Sequence, residues 1–299
     1  MSDGFLDARA GLAGKVAAVV GGGEGIGAAV SLALAGAGLD IAILDIDGEA
    51  LPETAKTCEG LGRKVTQMVG DAIDPATLDR YYDSVARDFD RLDVVVNVVG
   101  GTHNGPLLEK SREDWQRDIQ RNYGYVIQSV QRAVPLIRKG ARGGSIISFT
   151  TIEGHRGAAG FAVYAGAKAA TTNFTRAMAV ELAPERIRVN TIVPDTTPSR
   201  GNMNAMPAEW LARFQDLPPE VRGMGLEMYI PLKKQPQADD LANGVLFLAS
   251  DLSAFVTGMP LHVDGGTMAA AGFLDWPFGD GWLPTPSAGT LRQIGRAHV

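Results

Sequence analysis

Val16-Ala17-Ala18-Val19-Val20-Gly21-Gly22-Gly23-Glu24-Gly25-Ile26-Gly27-Ala28-Ala29-Val30 is the stretch that decides the fold. Five apolar residues in a row suit a strand buried on both faces, and a helical stretch, Ile26 to Ala37, follows within a few glycine-rich positions. Glycines at that junction let the backbone turn tightly and bring helix amides, with the positive end of the helix dipole, close to a pyrophosphate. Any strand-to-helix turn can use glycine; the strand before and the helix after favour the phosphate-binding reading.

Working outward, short β-branched runs recur at 41–45, 65–69, 94–98, 145–149, 188–193 and 261–263. Between them lie helix-length stretches such as 75–89, 112–138 and 163–183. Strand alternating with helix predicts an α/β fold, a doubly wound parallel sheet with helices on both faces, in a single domain. Residues 1–266 are assigned to that domain, including an inserted substrate loop at 195–236 that carries Trp210, Phe214 and Tyr229. Residues 267–299 are assigned to a C-terminal extension with Trp276, Phe278 and Trp282. Long insertions of this kind serve as lids or binding loops, or as plain surface cover. The end, Ile294 to Val299, matches the translation of a common sequencing-adapter run, so it is expected to be a read-through scar and is kept out of fold reasoning.

With 45% hydrophobic residues the 299-residue chain can bury a large core. A net charge of −6 with scattered cations argues against nucleic acid as a partner. No apolar run approaches the ~20 residues that span a bilayer, and no leader precedes Gly14, so a cytoplasmic protein without membrane contact is expected. One cysteine, Cys58, and four dispersed histidines give no metal-ligand pattern, and no metal is assigned.

Asp45 closes the second run about 20 residues after the glycine loop, where a carboxylate can accept hydrogen bonds from an adenosine ribose. No Lys or Arg occurs between Lys15 and Lys56, and Glu24 adds negative charge to the loop, so NAD is favoured over its 2′-phosphorylated form.

Gly21-x-x-x-Gly25-x-Gly27, Asn97-Val98-Val99-Gly100, Thr151 and Tyr164-x-x-x-Lys168, in this order, resemble the short-chain dehydrogenase/reductase family of the compact single-domain type, over roughly Leu12 to Gly266. The resemblance implies a Rossmann-type fold and an NAD-dependent exchange between a secondary alcohol and a ketone. It assigns Asn122, Thr151, Tyr164 and Lys168 as the catalytic set. To the cofactor it assigns Gly21, Gly23, Glu24, Gly25, Ile26, Gly27, Asp45, Ile46, Asp71, Ala72, Asn97, Val99, Gly100, Tyr164, Lys168, Pro194 and Thr197. Within these, Asp71 matches the acid at the adenine amino group, Asn122 the residue that maintains a water path to the lysine, and Asp264-Gly265-Gly266 the closing motif.

Four positions apart on a helix, Tyr164 and Lys168 share one face. A phenol titrates near ~10, too high for a base at neutral pH, and an adjacent ammonium plus an oxidised nicotinamide favour the phenolate. Tyr164 is thus expected to exchange the proton, Lys168 to tune it and Thr151 to hold the substrate oxygen, with Thr150 as the fallback.

Val20, Val98, Val99 and Asp195 depart from the family pattern. Val20 and Val98 are expected to trade hydrogen bonds for packing. Asp195 either favours the oxidised ring electrostatically or points to solvent. Glu153, His155 and His103 read first as solvated loop residues, with substrate contact the alternative. Two rivals stand beside the dehydrogenase reading: a non-catalytic NAD-sensing or scaffolding protein, and a sugar-nucleotide epimerase, for which too little chain follows Lys168. The Met- and aromatic-bearing stretch 203–229 suggests an apolar substrate, and the small residues 162–170 suit a homo-oligomer, a dimer or a tetramer.

Overall fold

The computed structural model describes residues 4–102, 104–198, 208–276 and 281–284. Contacts group the chain into two compact units, Met1–Met206 with Gln237–Val263, and Pro207–Pro236 with Asp264–Val299.

The first unit is built on seven parallel strands: β1 (Val16–Val20), β2 (Asp40–Asp45), β3 (Val65–Val69), β4 (Val94–Asn97), β5 (Gly144–Phe149), β6 (Ile187–Pro194) and β7 (Pro260–Val263). Their order is 3-2-1-4-5-6-7, so the sheet is wound in both directions from β1 and the switch point lies between β1 and β4. Every run read as a strand forms one, within a residue or so of its expected ends.

Side chains alternate across the sheet, and both faces are covered. Val16, Ala18 and Val20 join a core with Tyr81, Tyr82, Val126 and Leu182, whereas Ala17 and Val19 join a second core with Val30, Leu34, Leu241 and Leu248. This two-sided burial is why the strands read as continuous apolar runs instead of alternating ones.

Helices α1 (Phe5–Ala10), α2 (Gly25–Gly36), α3 (Ala50–Gly60), α4 (Pro75–Asp88), α5 (Arg112–Ile119), α6 (Tyr125–Gly140) and α7 (Ala162–Leu182) precede or connect the strands, and a further helix spans Ala238–Ala249. Local chemistry starts several of them. Asp74 accepts from the amides of Ala76 and Thr77 ahead of α4, with Pro75 in the first turn, and the Ser111 hydroxyl accepts from Asp114 N at 3.1 Å ahead of α5. The stretch 112–138, expected as one helix, is interrupted by a π-turn at Gln120–Gly124, which carries Asn122. Such turns re-aim side chains and concentrate at functional sites.

In the second unit, the insertion forms helices at Ala208–Asp216 and Pro219–Tyr229. The tail forms a short helix, Thr267–Ala270, and an antiparallel hairpin pairing Phe273–Trp276 with Gly281–Pro284. The Lys233 ammonium pairs with Asp275 and lies 5.0 Å from the Trp282 ring centroid, and Leu232 N donates to Gly265 O at 3.1 Å. Insertion and tail, kept apart in the sequence reading, therefore meet in one unit. Met203, Phe278, His103 and the suspected scar at 294–299 lie outside the described residues. Among the described residues no helix is long and apolar enough to cross a membrane.

Candidate active site

The loop after β1 turns through Gly21 at φ 84°, a conformation that favours glycine. A Cβ on Gly27 would sit 1.7 Å from Gly21 O, so the first turn of α2 packs against the loop closer than any side chain allows. Ile26 packs on the second core, and Glu24 sits in extended backbone as the residue before α2. Gly25, at φ 56°, is the first residue of α2. The α2 amides therefore open onto a backbone-lined cradle at the C-terminal edge of the sheet, which suits a pyrophosphate.

Asp45 is buried beside this cradle. Its carboxylate accepts from Gly23 N at 2.7 Å and from Asp47 N at 3.0 Å, which fixes its orientation and leaves lone pairs for further donors. Ile46 is exposed next to it. Asp71 accepts from Ile73 N at 3.0 Å, and Ala72 is buried. This set of groups has the chemistry a dinucleotide's adenosine half requires: backbone amides that could donate to phosphate, and carboxylates that could accept from hydroxyls and an amino group.

Across the switch point, Asn97 is fully buried and accepts from Ser129 Oγ at 2.6 Å. Val98 packs on the second core, as expected of a substitution that trades polar contacts for packing; Val99 packs on the first, and its carbonyl accepts from Tyr125 Oη at 2.7 Å. A Cβ on Gly100 would meet Lys168 Nζ at 2.7 Å and Asn122 Oδ1 at 3.1 Å. Gly100, Lys168 and Asn122 thus converge on one point, and only glycine leaves room there. The Asn122 side chain clasps Gly101, accepting from its N–H at 3.0 Å and donating to its carbonyl at 2.8 Å, while the Asn122 backbone carbonyl accepts from Thr171 Oγ1 at 2.8 Å. Pro194 ends β6, and the Thr197 hydroxyl donates to Asp195 O at 3.3 Å. Asp195 is buried, which removes the solvent-facing alternative.

Lys168 is 3% exposed and donates to Phe149 O at 2.8 Å. Burial lowers its pKa from 10.5 to about 7. Its Nζ lies 5.9 Å from the Tyr164 ring centroid. Burial also pushes the Tyr164 phenol up to about 12; hydrogen bonding with Thr151 opposes this, and the Glu153 charge adds to it. Desolvation is thus the largest influence on the Tyr164 phenol and holds it protonated at neutral pH.

Glu153, read as a solvated loop residue, is turned inward. Its carboxylate accepts from the Thr151 hydroxyl on one oxygen and from Arg156 at 3.0 Å on the other. His155 and His262 stack edge to face with centroids 5.0 Å apart, and burial, then His262 and Arg176, hold the His155 pKa below its ordinary value. A glutamate two residues after Thr151 was the available sequence signal; its direction was not.

A family model described as Enoyl-(Acyl carrier protein) reductase matches residues 21–268. An oxidoreductase from Mycobacterium tuberculosis is 35% identical over 84% of this chain and 91% of its own length. The 3-oxoacyl-[acyl-carrier-protein] reductase FabG of Thermotoga maritima is 34% identical over 85% of this chain and 98% of its own. Among solved structures, carveol dehydrogenase from Mycobacterium avium in complex with NAD superposes with a TM-score of 0.78, at 32% identity, over 86% of this chain and 98% of that one.

Proposed function

Because the chain belongs to the short-chain dehydrogenase/reductase family of oxidoreductases, we propose that it interconverts a secondary alcohol and a ketone with NAD, through Asn122, Thr151, Tyr164 and Lys168. The observation that carries this reading is the convergence of Gly100, Asn122 and Lys168 at the switch-point edge, with Tyr164 and Thr151 beside them.

The cofactor supplies a hydride acceptor, or donor, at its nicotinamide ring. The protein supplies the rest. Tyr164 Oη takes the alcohol proton in oxidation and returns it in reduction. Lys168 Nζ, fixed by Phe149 O, adds positive charge next to the phenol once protonated. Thr151 Oγ1 contacts the substrate oxygen. Asn122 acts at one remove, holding the Gly101 backbone and the π-turn in place.

Asp45 supports NAD over NADP, because a 2′-phosphate would be brought to a buried carboxylate in a stretch without cations from 16 to 55. For the substrate, an apolar and cyclic alcohol is the best fit: the Met- and aromatic-bearing insertion supports it, and carveol dehydrogenase, a structural relative, is named for a cyclic terpenoid alcohol. We also expect a homodimer or homotetramer, checked by mass in solution; a monomer at working concentration would contradict it.

The test is the change in nicotinamide absorbance with NAD+ or NADP+ across a panel of cyclic secondary alcohols. Wild type should turn over with NAD+, and Tyr164→Phe should lose about 10²–10⁴-fold while still binding NADH. NADH binding with no turnover anywhere on the panel would favour the sensing reading instead.

A further inference from the structure

We propose that Glu153 is a positioning residue that takes the proton of the Thr151 hydroxyl and so sets the direction of the hydrogen bonds around Tyr164, making the site receptive to an alcohol rather than a ketone. The proposal rests on the dehydrogenase reading above and deepens it.

A threonine hydroxyl has one proton to donate. Here it is directed to one oxygen of the Glu153 carboxylate, while Arg156 holds the other oxygen at 3.0 Å and limits its rotation. The side chain of Glu153 is only 18% exposed, so water competes weakly for it. With its proton committed, Thr151 Oγ1 presents lone pairs to the rest of the site. That one proton has two competing acceptors: donated to the Tyr164 oxygen it pulls that group's pKa down, donated to Glu153 it does not, and the carboxylate's own charge acts upward.

The consequence for substrate is one of polarity. A ketone oxygen only accepts hydrogen bonds, and it meets one donor, the Tyr164 hydroxyl, in place of two. An alcohol has one proton of its own: while Tyr164 is protonated it donates to Thr151 Oγ1 and accepts from the phenol, and once Tyr164 is ionised it donates to the phenolate, so it loses less. Among the described residues, these charged and titratable groups lie around the cluster. Arg156 lies on the same loop, Lys168 is one turn beyond Tyr164 on α7, and His155 stands beside Glu153 in contact with His262 of β7 and under the influence of Arg176 of α7. Burial and these neighbours favour neutral His155, so Glu153 and Arg156 dominate the local field together with Lys168.

Three variants separate charge from hydrogen-bond direction. Glu153→Gln keeps an acceptor and removes the charge, Glu153→Ala removes both, and Glu153→Asp restores a carboxylate. In alcohol oxidation, Glu153→Gln should move the rising limb of the kcat/KM profile down by about one pH unit, about a tenfold gain on its acid side. Glu153→Ala should in addition tighten ketone inhibition relative to alcohol KM by about fivefold to tenfold, the worth of one hydrogen bond. Glu153→Asp should lie nearest wild type. NADH binding and circular dichroism report whether each variant is folded. A profile and a ketone-to-alcohol ratio within twofold of wild type in both Glu153→Gln and Glu153→Ala would overturn the proposal. If no alcohol turns over, the dehydrogenase reading has failed, and the tyrosinate absorbance of each chain minus that of its Tyr164→Phe counterpart still decides the role of Glu153: a lower midpoint in Glu153→Gln supports it, an unmoved one refutes it.

Discussion

Replacing Lys168 by Met should stabilise the protein at neutral and acid pH while abolishing its chemistry. Burial takes the lysine from 10.5 in the unfolded chain to about 7 in the folded one, about 3.5 units, which at ~1.36 kcal/mol per unit is about 5 kcal/mol. The sign follows from proton counting. Between about pH 7 and 10.5 the unfolded chain binds the extra proton and the folded chain does not, so stability climbs with pH across that window. Below about pH 7 both states are protonated, and the full cost of burying an ammonium remains. Methionine fills a similar volume without charge, but it leaves Phe149 O without the donor now 2.8 Å away, a loss of about 1–3 kcal/mol. The net expectation at pH 6 is that Lys168→Met is more stable by about 2–4 kcal/mol. The advantage should shrink by about 1.4 kcal/mol per pH unit from about pH 7.5 and disappear by about pH 10. Urea unfolding of both chains from pH 6 to 10 measures this, and Tyr164 stays protonated in the folded protein throughout that range. Parallel stability curves, or a destabilised variant at pH 6, would refute the claim that Lys168 is buried at an energetic cost.

Two further substitutions probe the cofactor side. Asp45→Ala removes the acceptor for Gly23 N and, on the proposed reading, for the ribose; the KM for NAD+ should then rise about tenfold or more and the preference over NADP+ should narrow, read from initial rates with each cofactor. Gly100→Ala places a methyl 2.7 Å from Lys168 Nζ, which can yield only by giving up its bond to Phe149 O; the fold should survive this local displacement while kcat falls on the order of 10²-fold, measured alongside circular dichroism.

Much of the frame was legible in the amino-acid order. Continuous apolar runs such as 16–20 and 94–97 announced strands buried on both faces, because a sheet covered by helices on each side leaves no polar face to alternate with. The glycine loop and the spacing of Tyr164 and Lys168 were legible for the same reason: both are local geometry, one a tight turn and the other a single helical turn. The π-turn at 120–124 was not legible, since nothing in an amphipathic pattern marks one extra residue in a helix. Nor was the hairpin Phe273–Trp276 with Gly281–Pro284, whose short strands among Gly and Pro carry too little periodicity to register.

By itself, then, the sequence determined the strand and helix order, the glycine turn after the first strand and the placing of Tyr164 and Lys168 one turn apart on a helix, all of which follow from periodicity and neighbours a few positions apart. Tertiary structure alone decided that Gly100 makes room for Lys168 and Asn122, that Asp195 is buried, that desolvation brings Lys168 to about 7, and that Glu153 turns in to take the proton of Thr151. Burial, charge and hydrogen-bond direction depend on which distant segments meet at the end of the sheet, and a linear pattern carries no measure of that distance.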